Sequence, residues 1–344
     1  MTTYLLWLAA APRRPRAAVS SAPAAPVLIV VPIFDEAALI ERKLENLDAL
    51  TYAGRGVVLV DGGSTDGTVD LVRRWIEGRS HSSQFTVIET AHRNKTAQLV
   101  DAVRTHPHAE WILVTDADAL LAPDTIERLF DVVAADANVG VVGASVHPTT
   151  AHALEALHWR ATDWLRDRES DRGSAAIVAG PCYLTRRRFL ADLPADTVAD
   201  DVYVACSAML AGQSVGHGHS TVFELRSPRT LRALLRHKYR KADAYLREIL
   251  RFLPLAPRMP AAQRAVFLWR AALLTLVPIL GALGSLAFLL GAAVEASVVI
   301  ALLLTIRPAR LAAILAAVAA LALLMTPFSR QTASLPKITN VEEA

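Results

Sequence analysis

Short runs of β-branched and aliphatic residues alternate with helix-length segments through the first two thirds of the chain. Pro26-Val27-Leu28-Ile29-Val30-Val31 has the composition of a buried strand. Leu39, Ile40, Leu44, Leu47 and Leu50 then recur at a helical period. Gly56–Val60 is a second buried strand, stopping at the glycine-rich turn Asp61-Gly62-Gly63-Ser64-Thr65-Asp66-Gly67-Thr68 before a helix over Val69–Glu77. Phe85–Glu89 and Trp111–Thr115 are further strands, with helices over Thr96–Arg104 and, after Pro123, over Asp124–Ala134. Such alternation predicts an α/β fold with a parallel sheet, which takes its ligand at the carboxyl ends of the strands. Val139–Val146 and Ser214–Leu225 extend the sheet, Ala176–Leu184 is another apolar run through Gly180-Pro181, and helices lie over Leu154–Arg168 and Asp200–Leu210.

The pattern changes after Ser227-Pro228. Leu231, Leu234, Leu235, Tyr239, Ala242, Leu246 and Leu250 lie at helical spacing with Arg and Lys between them, an amphipathic basic helix suited to a headgroup plane. Ala271–Gly291 and Leu311–Phe328 are apolar stretches of spanning length. Between them Ala296–Ile306 is shorter and ends at Arg307-Pro308-Ala309-Arg310. Keeping those arginines on the side of a cytoplasmic domain requires three spans, whereas two spans place them outside.

Composition narrows the function. Of 344 residues, 53% are hydrophobic and 20% charged, and the charges thin out after Ala265, so the chain divides into a polar domain and an apolar tail. A formal net charge of +3 gives no reason to expect nucleic acid. The basic cluster Arg226–Arg251 is placed to meet anionic lipid. Two cysteines, Cys182 and Cys206, form no CxxC pair, which argues against a zinc site or disulfide framework. The N-terminal apolar run Tyr4–Ala11 is too short to span, and its arginines follow it, unlike a secretory signal.

The chemistry gathers at strand ends. Trp111-Ile112-Leu113-Val114-Thr115 delivers Asp116-Ala117-Asp118 directly after a buried strand. Hard carboxylate oxygens so placed suit a divalent ion that neutralises a departing diphosphate. A DxD alone is weak evidence. Here it stands in a series: Val30-Val31-Pro32-Ile33-Phe34-Asp35-Glu36, then Val60-Asp61-Gly62-Gly63-Ser64, then Asn94-Lys95-Thr96-Ala97, then Thr115-Asp116-Ala117-Asp118, then Asp200-Asp201. In order and spacing this series resembles the membrane-anchored bacterial members of the family 2 glycosyltransferases, over roughly residues 26–225.

The resemblance implies a Rossmann-like GT-A nucleotide-sugar domain over residues 25–227, after a tail at 1–24. An amphipathic interfacial segment at 228–264 would follow, then transmembrane helices at 265–328 and a tail at 329–344. It implies an inverting enzyme at the cell membrane, multi-pass, with its catalytic domain cytoplasmic. The donor would be a nucleotide sugar, a UDP-sugar first, and the acceptor a lipid-linked or membrane-proximal glycan, with membrane lipids as further partners. By the same resemblance Pro32 and Glu36 border the nucleotide, Asp61 reads base or ribose, and Lys95 lies near base and phosphates. Asp118 ligates Mg²⁺ or Mn²⁺, with Asp116 shared between ribose and metal. Asp201 takes the proton of the attacking hydroxyl, beside Asp200, which equally suits a helix cap.

Three departures stand out. Gly62 replaces a second aspartate, Asn94 replaces a glycine, and His237-Lys238-Tyr239-Arg240-Lys241 replaces the Gln-x-x-Arg-Trp motif of processive synthases. Only Arg240 of that motif remains, within reach of the diphosphate, so single transfer is expected over polymerisation. A processive synthase and a catalytically silent nucleotide-sugar-binding protein are the alternatives. A dinucleotide oxidoreductase is disfavoured, because residues 62–67 do not form GxGxxG. His92 and the pair His217 and His219 read as structural residues.

Overall fold

The structure, a computed structural model, describes residues 2–12, 25–79, 82–149, 153–291 and 307–325. Its elements in chain order are α1 (Thr2–Ala9), β1 (Val27–Ile33), α2 (Ile40–Asp48), β2 (Arg55–Asp61), α3 (Thr68–Glu77), β3 (Phe85–Glu89), α4 (Lys95–Thr105), β4 (Trp111–Thr115), β5 (Ala119–Leu121) and α5 (Thr125–Ala135). There follow β6 (Val139–Pro148), α6 (Ala153–Asp171), β7 (Cys182–Arg186), α7 (Arg188–Ala191), α8 (Asp200–Leu210), β8 (Ser214–Glu224), α9 (Leu231–Phe252), α10 (Ala261–Gly291) and α11 (Arg307–Met325).

One eight-stranded sheet runs β3-β2-β1-β4-β7-β6-β8-β5. Successive strand residues point to opposite faces, and both faces are covered. Leu28, Val30, Val58, Val60, Ile112 and Val114 face a core shared with α4, α8, α9 and the start of α10. Val27, Ile29, Val31, Val57, Leu59 and Leu113 face a second core shared with α2 and α5. Burial on two sides explains why these strands read as continuous apolar runs.

The parallel sheet expected from the sequence holds for β3, β2, β1 and β4 and for the β6–β8 pair, but not throughout. β7 runs antiparallel to both β4 and β6, and β5 antiparallel to β8. Of the apolar run Ala176–Leu184, only the part from Cys182 joins the sheet, in a strand that ends at Arg186. Pro181, lacking an N–H, cannot extend that ladder, and its carbonyl accepts from Asp116 N instead (3.1 Å).

The N-terminal segment is docked rather than free. Tyr4 donates to Glu169 Oε1 (2.8 Å) and stacks on Trp269, while Arg168 Nη2 reaches the carbonyls of Leu8, Ala9 and Ala11. Glu169 is fully buried and also receives Arg270 Nη2 (2.8 Å) and Ala176 N (3.0 Å). One carboxylate thus joins α1, α6, α10 and the chain leading to Gly180-Pro181.

The amphipathic helix likewise turns its inner face to the domain. In α9, His237, Lys238, Ala244, Leu246, Ile249 and Phe252 are buried, and Thr230 caps its N-terminus by accepting from Ala233 N (3.3 Å). α10 begins ten residues before the expected span, and Gln263, Val266, Phe267, Arg270 and Ala271 are buried in the domain. α11 covers most of the second expected span and packs back on α10 and α9. No helix among the described residues is long and apolar enough to cross a membrane. The intervening segment 296–306 and the tail 329–344 lie outside the described residues.

Candidate active site

The loops after β1 and β2 are laced together before they meet any ligand. Asp35 takes a left-handed backbone (φ 50°), and its Oδ1 accepts from Thr65 N (2.8 Å) while its own N–H donates to Ser64 Oγ (2.8 Å). Glu36 N donates to Thr68 Oγ1 (2.8 Å). Asp61 Oδ2 accepts from Gly63 N and Ser64 N (2.8 and 2.9 Å), and its Oδ1 from Ser64 Oγ. Asp61 therefore stands apart from the cleft, satisfied within its own turn. Gly63 and Gly67 need their positive φ (85° and 87°), whereas Gly62 is required by crowding. A Cβ there would lie 2.2 Å from Gln98 Nε2 and 2.9 Å from the His92 carbonyl.

A cleft of about 330 Å³ opens at the carboxyl ends of β1 and β4. Pro32, Glu36, Lys95, Asp116, Asp118, Asp200, Asp201 and Arg240 all line it, so of the expected site residues only Asp61 lies off its wall. Asn94, at the usual place of a glycine, is the N-cap of α4 and accepts from Ala97 N (2.7 Å). That cap starts the helix at Lys95 and sends its side chain into the cleft.

Lys95 Nζ bridges Asp116 Oδ1 (2.8 Å) and Asp200 Oδ2 (3.3 Å). Burial alone would lower its pKa, but the two carboxylates outweigh burial and hold the ammonium above the ordinary lysine range. Asp200, in the first turn of α8, also accepts from Tyr183 OH (2.6 Å) and lines the cleft.

Asp201 is buried on the cleft floor, with Oδ2 accepting from Tyr245 OH (2.8 Å) and Oδ1 from Val202 N (3.0 Å). Burial, then the Asp200 charge, raises its pKa to about 6 against the pull of Lys95 and Tyr245. Gly180 borders it closely, for a Cβ at that position would lie 3.2 Å from Asp201 Oδ2.

Asp118 is raised further, to about 7, by burial and then by the charges of Asp116 and Glu224. A carboxylate so crowded by like charge is one that a bound cation would relieve. Among the described residues no group of three or more His, Cys, Asp or Glu side chains is arranged to hold an ion by itself. Two carboxylates with the rest of the shell left to phosphate oxygens and water is the usual donor set for Mg²⁺ at nucleotide sites. The residues present fit such an ion.

Sequence reasoning missed Glu224, Arg226, Lys241 and Tyr245, which also line the cleft. Arg226 Nη1 pairs with Glu36 Oε2 (2.6 Å), and Lys241 lies over the Trp159 ring (5.2 Å). For Lys241 and Tyr245 the signal was the polar content of α9, which read as a lipid-facing surface; Glu224 ends β8 and Arg226 follows it in the loop before α9.

Buried carboxylates at parallel strand ends, facing a basic helix across a cleft, define a GT-A-like nucleotide-sugar domain. The chain matches Glycosyl transferase family 2 over residues 28–193 and Glycosyl transferase family group 2 over residues 111–327. It belongs to the family 2 glycosyltransferases. An N-acetylglucosaminyltransferase of Azorhizobium caulinodans is 24% identical over 239 residues, covering 64% of this chain and 59% of that protein. One from Rhizobium meliloti is 23% identical over 257 residues, covering 69% and 59%. The chain thus spans about three fifths of the length of these relatives. Among solved structures, the mannosyltransferase PcManGT from Pyrobaculum calidifontis, in complex with GDP-Man and Mn²⁺, superposes with a TM-score of 0.80 at 25% identity. The match covers 96% of this chain and 95% of that one.

Proposed function

We propose that the protein transfers one sugar, with inversion, from a nucleotide-sugar donor to a lipid-linked or membrane-proximal acceptor, in a reaction that requires Mg²⁺ or Mn²⁺. The observation that carries this reading is Asp201: a buried carboxylate on the floor of the cleft that also holds Asp116 and Asp118. With a pKa raised to about 6 it is ionised at neutral pH yet basic enough to accept a proton.

In the proposed reaction an acceptor hydroxyl attacks the anomeric carbon. Asp201 takes its proton as the new C–O bond forms, and the bond to the diphosphate breaks with its electron pair leaving on phosphate oxygen. Asp118 and Asp116 would hold the divalent ion, which when bound offsets charge on the departing diphosphate. Arg240 and Lys241 face the same space and add positive charge to it. The donor is a nucleoside diphosphate sugar by analogy with PcManGT, whose complex contains GDP-Man and Mn²⁺. A UDP-sugar remains the first to try.

The same reading places the chain at the cell membrane by multiple C-terminal passes, with its catalytic domain cytoplasmic. Support comes from α11, where none of the described side chains from Ala312 to Leu321 is buried although all are apolar, and from exposed Leu276, Ile279 and Leu280 on α10. The test is transfer by the purified full chain in detergent, with and without Mn²⁺. Asp201→Asn should keep donor binding and lose transfer. Transfer at the wild-type rate by that variant would sink the assignment.

A further inference from the structure

Beneath the Asp116–Asp118 turn lies a lysine that the reaction above does not use. Lys43, on the inner face of α2, has 0% of its surface exposed. Lysine is almost never fully buried without a strong partner, and an apolar side chain would fill this space more cheaply. Its Nζ donates to Thr115 Oγ1 (2.9 Å) and to the carbonyl of Ala119. Those residues are the last before Asp116 and the first after Asp118, so one ammonium ties both ends of the three-residue turn.

One helical turn further on, Asn46 continues the same seam. Its Nδ2 donates to the Leu121 carbonyl (2.7 Å) and its Oδ1 accepts from Leu121 N (2.8 Å). β5 is the edge strand of the sheet, paired with β8 on its other side. Lys43 and Asn46 therefore stand where a ninth strand would, satisfying backbone groups that an edge leaves open. The charge is costly to keep there: burial lowers the Lys43 pKa to about 8, against the opposing pull of nearby groups that include Asp116 and Asp118.

We propose that Lys43, assisted by Asn46, is the positioning residue of the metal-binding turn: it clamps Thr115 and Ala119 so that Asp116 and Asp118 present their carboxylates at one spacing. The role rests on the metal assignment proposed above. It runs against simple electrostatics, since a positive charge under the site repels a cation. Deleting the charge alone would tighten metal binding, whereas deleting the clamp loosens it. The two effects have opposite signs, which makes the role measurable.

The experiment titrates the purified full chain with Mn²⁺ alone, following the free-ion signal by electron paramagnetic resonance. Wild type is compared with Lys43→Met, Lys43→Gln, Asp118→Ala and Leu47→Ala. Leu47 is fully buried on the same helix and reports plain loss of packing. Lys43→Met should weaken Mn²⁺ binding about tenfold or more, by loss of a preorganised ligand pair. Lys43→Gln, which keeps one donor, should fall between it and wild type, and stands in if the methionine variant does not fold. Leu47→Ala should lower Tm with Mn²⁺ affinity within about twofold of wild type, since it leaves the turn's hydrogen bonds in place. Equal or tighter Mn²⁺ binding by both Lys43 variants would overturn the clamp alone. Wild-type Mn²⁺ binding that survives Asp118→Ala would remove the metal assignment, and the clamp with it.

Discussion

Tyr245 reaches from α9 to place its hydroxyl 2.8 Å from Asp201 Oδ2, joining the helix after the sheet to the carboxylate at the start of α8. That hydrogen bond favours the ionised carboxylate and lowers its pKa. Tyr245→Phe should therefore shift the acid limb of the pH–rate profile upward. The loss should be about tenfold near pH 6, for one hydrogen bond to a charged group, and smaller at pH 8, where Asp201 is ionised in either form. A uniform loss at all pH values would mean that Tyr245 only shapes the cleft.

Asp118 titrates at about 7, well above an ordinary carboxyl. Protons compete with the ion below that value, so Mn²⁺ affinity should fall by about tenfold per pH unit as pH drops below 7. Metal-free stability moves with the opposite sign. A raised carboxyl binds its proton more tightly in the folded state, so its contribution to stability is complete below about pH 4 and is lost as pH rises through 7. Without metal, Tm should decline across that window, and saturating Mn²⁺ should restore it. Differential scanning calorimetry at pH 5.5 and 8, with and without Mn²⁺, measures both.

Lys95 is the shared counter-ion of Asp116 and Asp200. Lys95→Met leaves those two carboxylates and Asp201 without it, raising the pKa of Asp201, which Lys95 lowers. The expected outcome is a stability loss of about 2 kcal/mol, discounted from the larger cost of a fully buried pair because the lysine is partly exposed. Transfer at pH 7 should fall more than this loss explains. Denaturant unfolding and a pH series of rates separate the two.

Gly62→Ala tests the crowding behind the nucleotide turn. Its Cβ would collide with Gln98 Nε2 and the His92 carbonyl. Overpacking of this kind costs about 1–3 kcal/mol. Gln98→Ala in the same chain should recover part of that cost, which a double-mutant cycle in urea reads directly.

Much of the fold was legible because β1, β2 and β4 are buried on both faces and carry uninterrupted aliphatic runs. The helix starting at Asp200 and the DxD turn after Trp111–Thr115 followed from local pattern alone. β7 did not: its antiparallel run between β4 and β6 depends on long-range pairing, and Gly180-Pro181 hid where it began. Residues expected from the sequence, Asp116, Asp118 and Glu36 among them, do line one cleft, because each follows closely on the carboxyl end of a strand. Asp61 lies in the turn that it braces, a placement that local sequence does not distinguish from a cleft-lining one. Tyr245 and Lys241 were invisible because nothing local says that a basic amphipathic helix will fold back over a cleft. Lys43 was hidden for the reverse reason, being one polar residue among α2 positions that looked like an ordinary amphipathic period.

The carboxylate of Glu169 holds Tyr4, Arg270 and the amide of Ala176 at once, and Arg168 beside it grips the carbonyls that end α1. In terms of assembly, the segment from Tyr4 to Ala11 is built into the domain. A truncation that begins at the first strand would take the Tyr4 hydroxyl from buried Glu169 and three carbonyls from buried Arg168, on the helix whose carboxylate also holds the chain leading to Gly180.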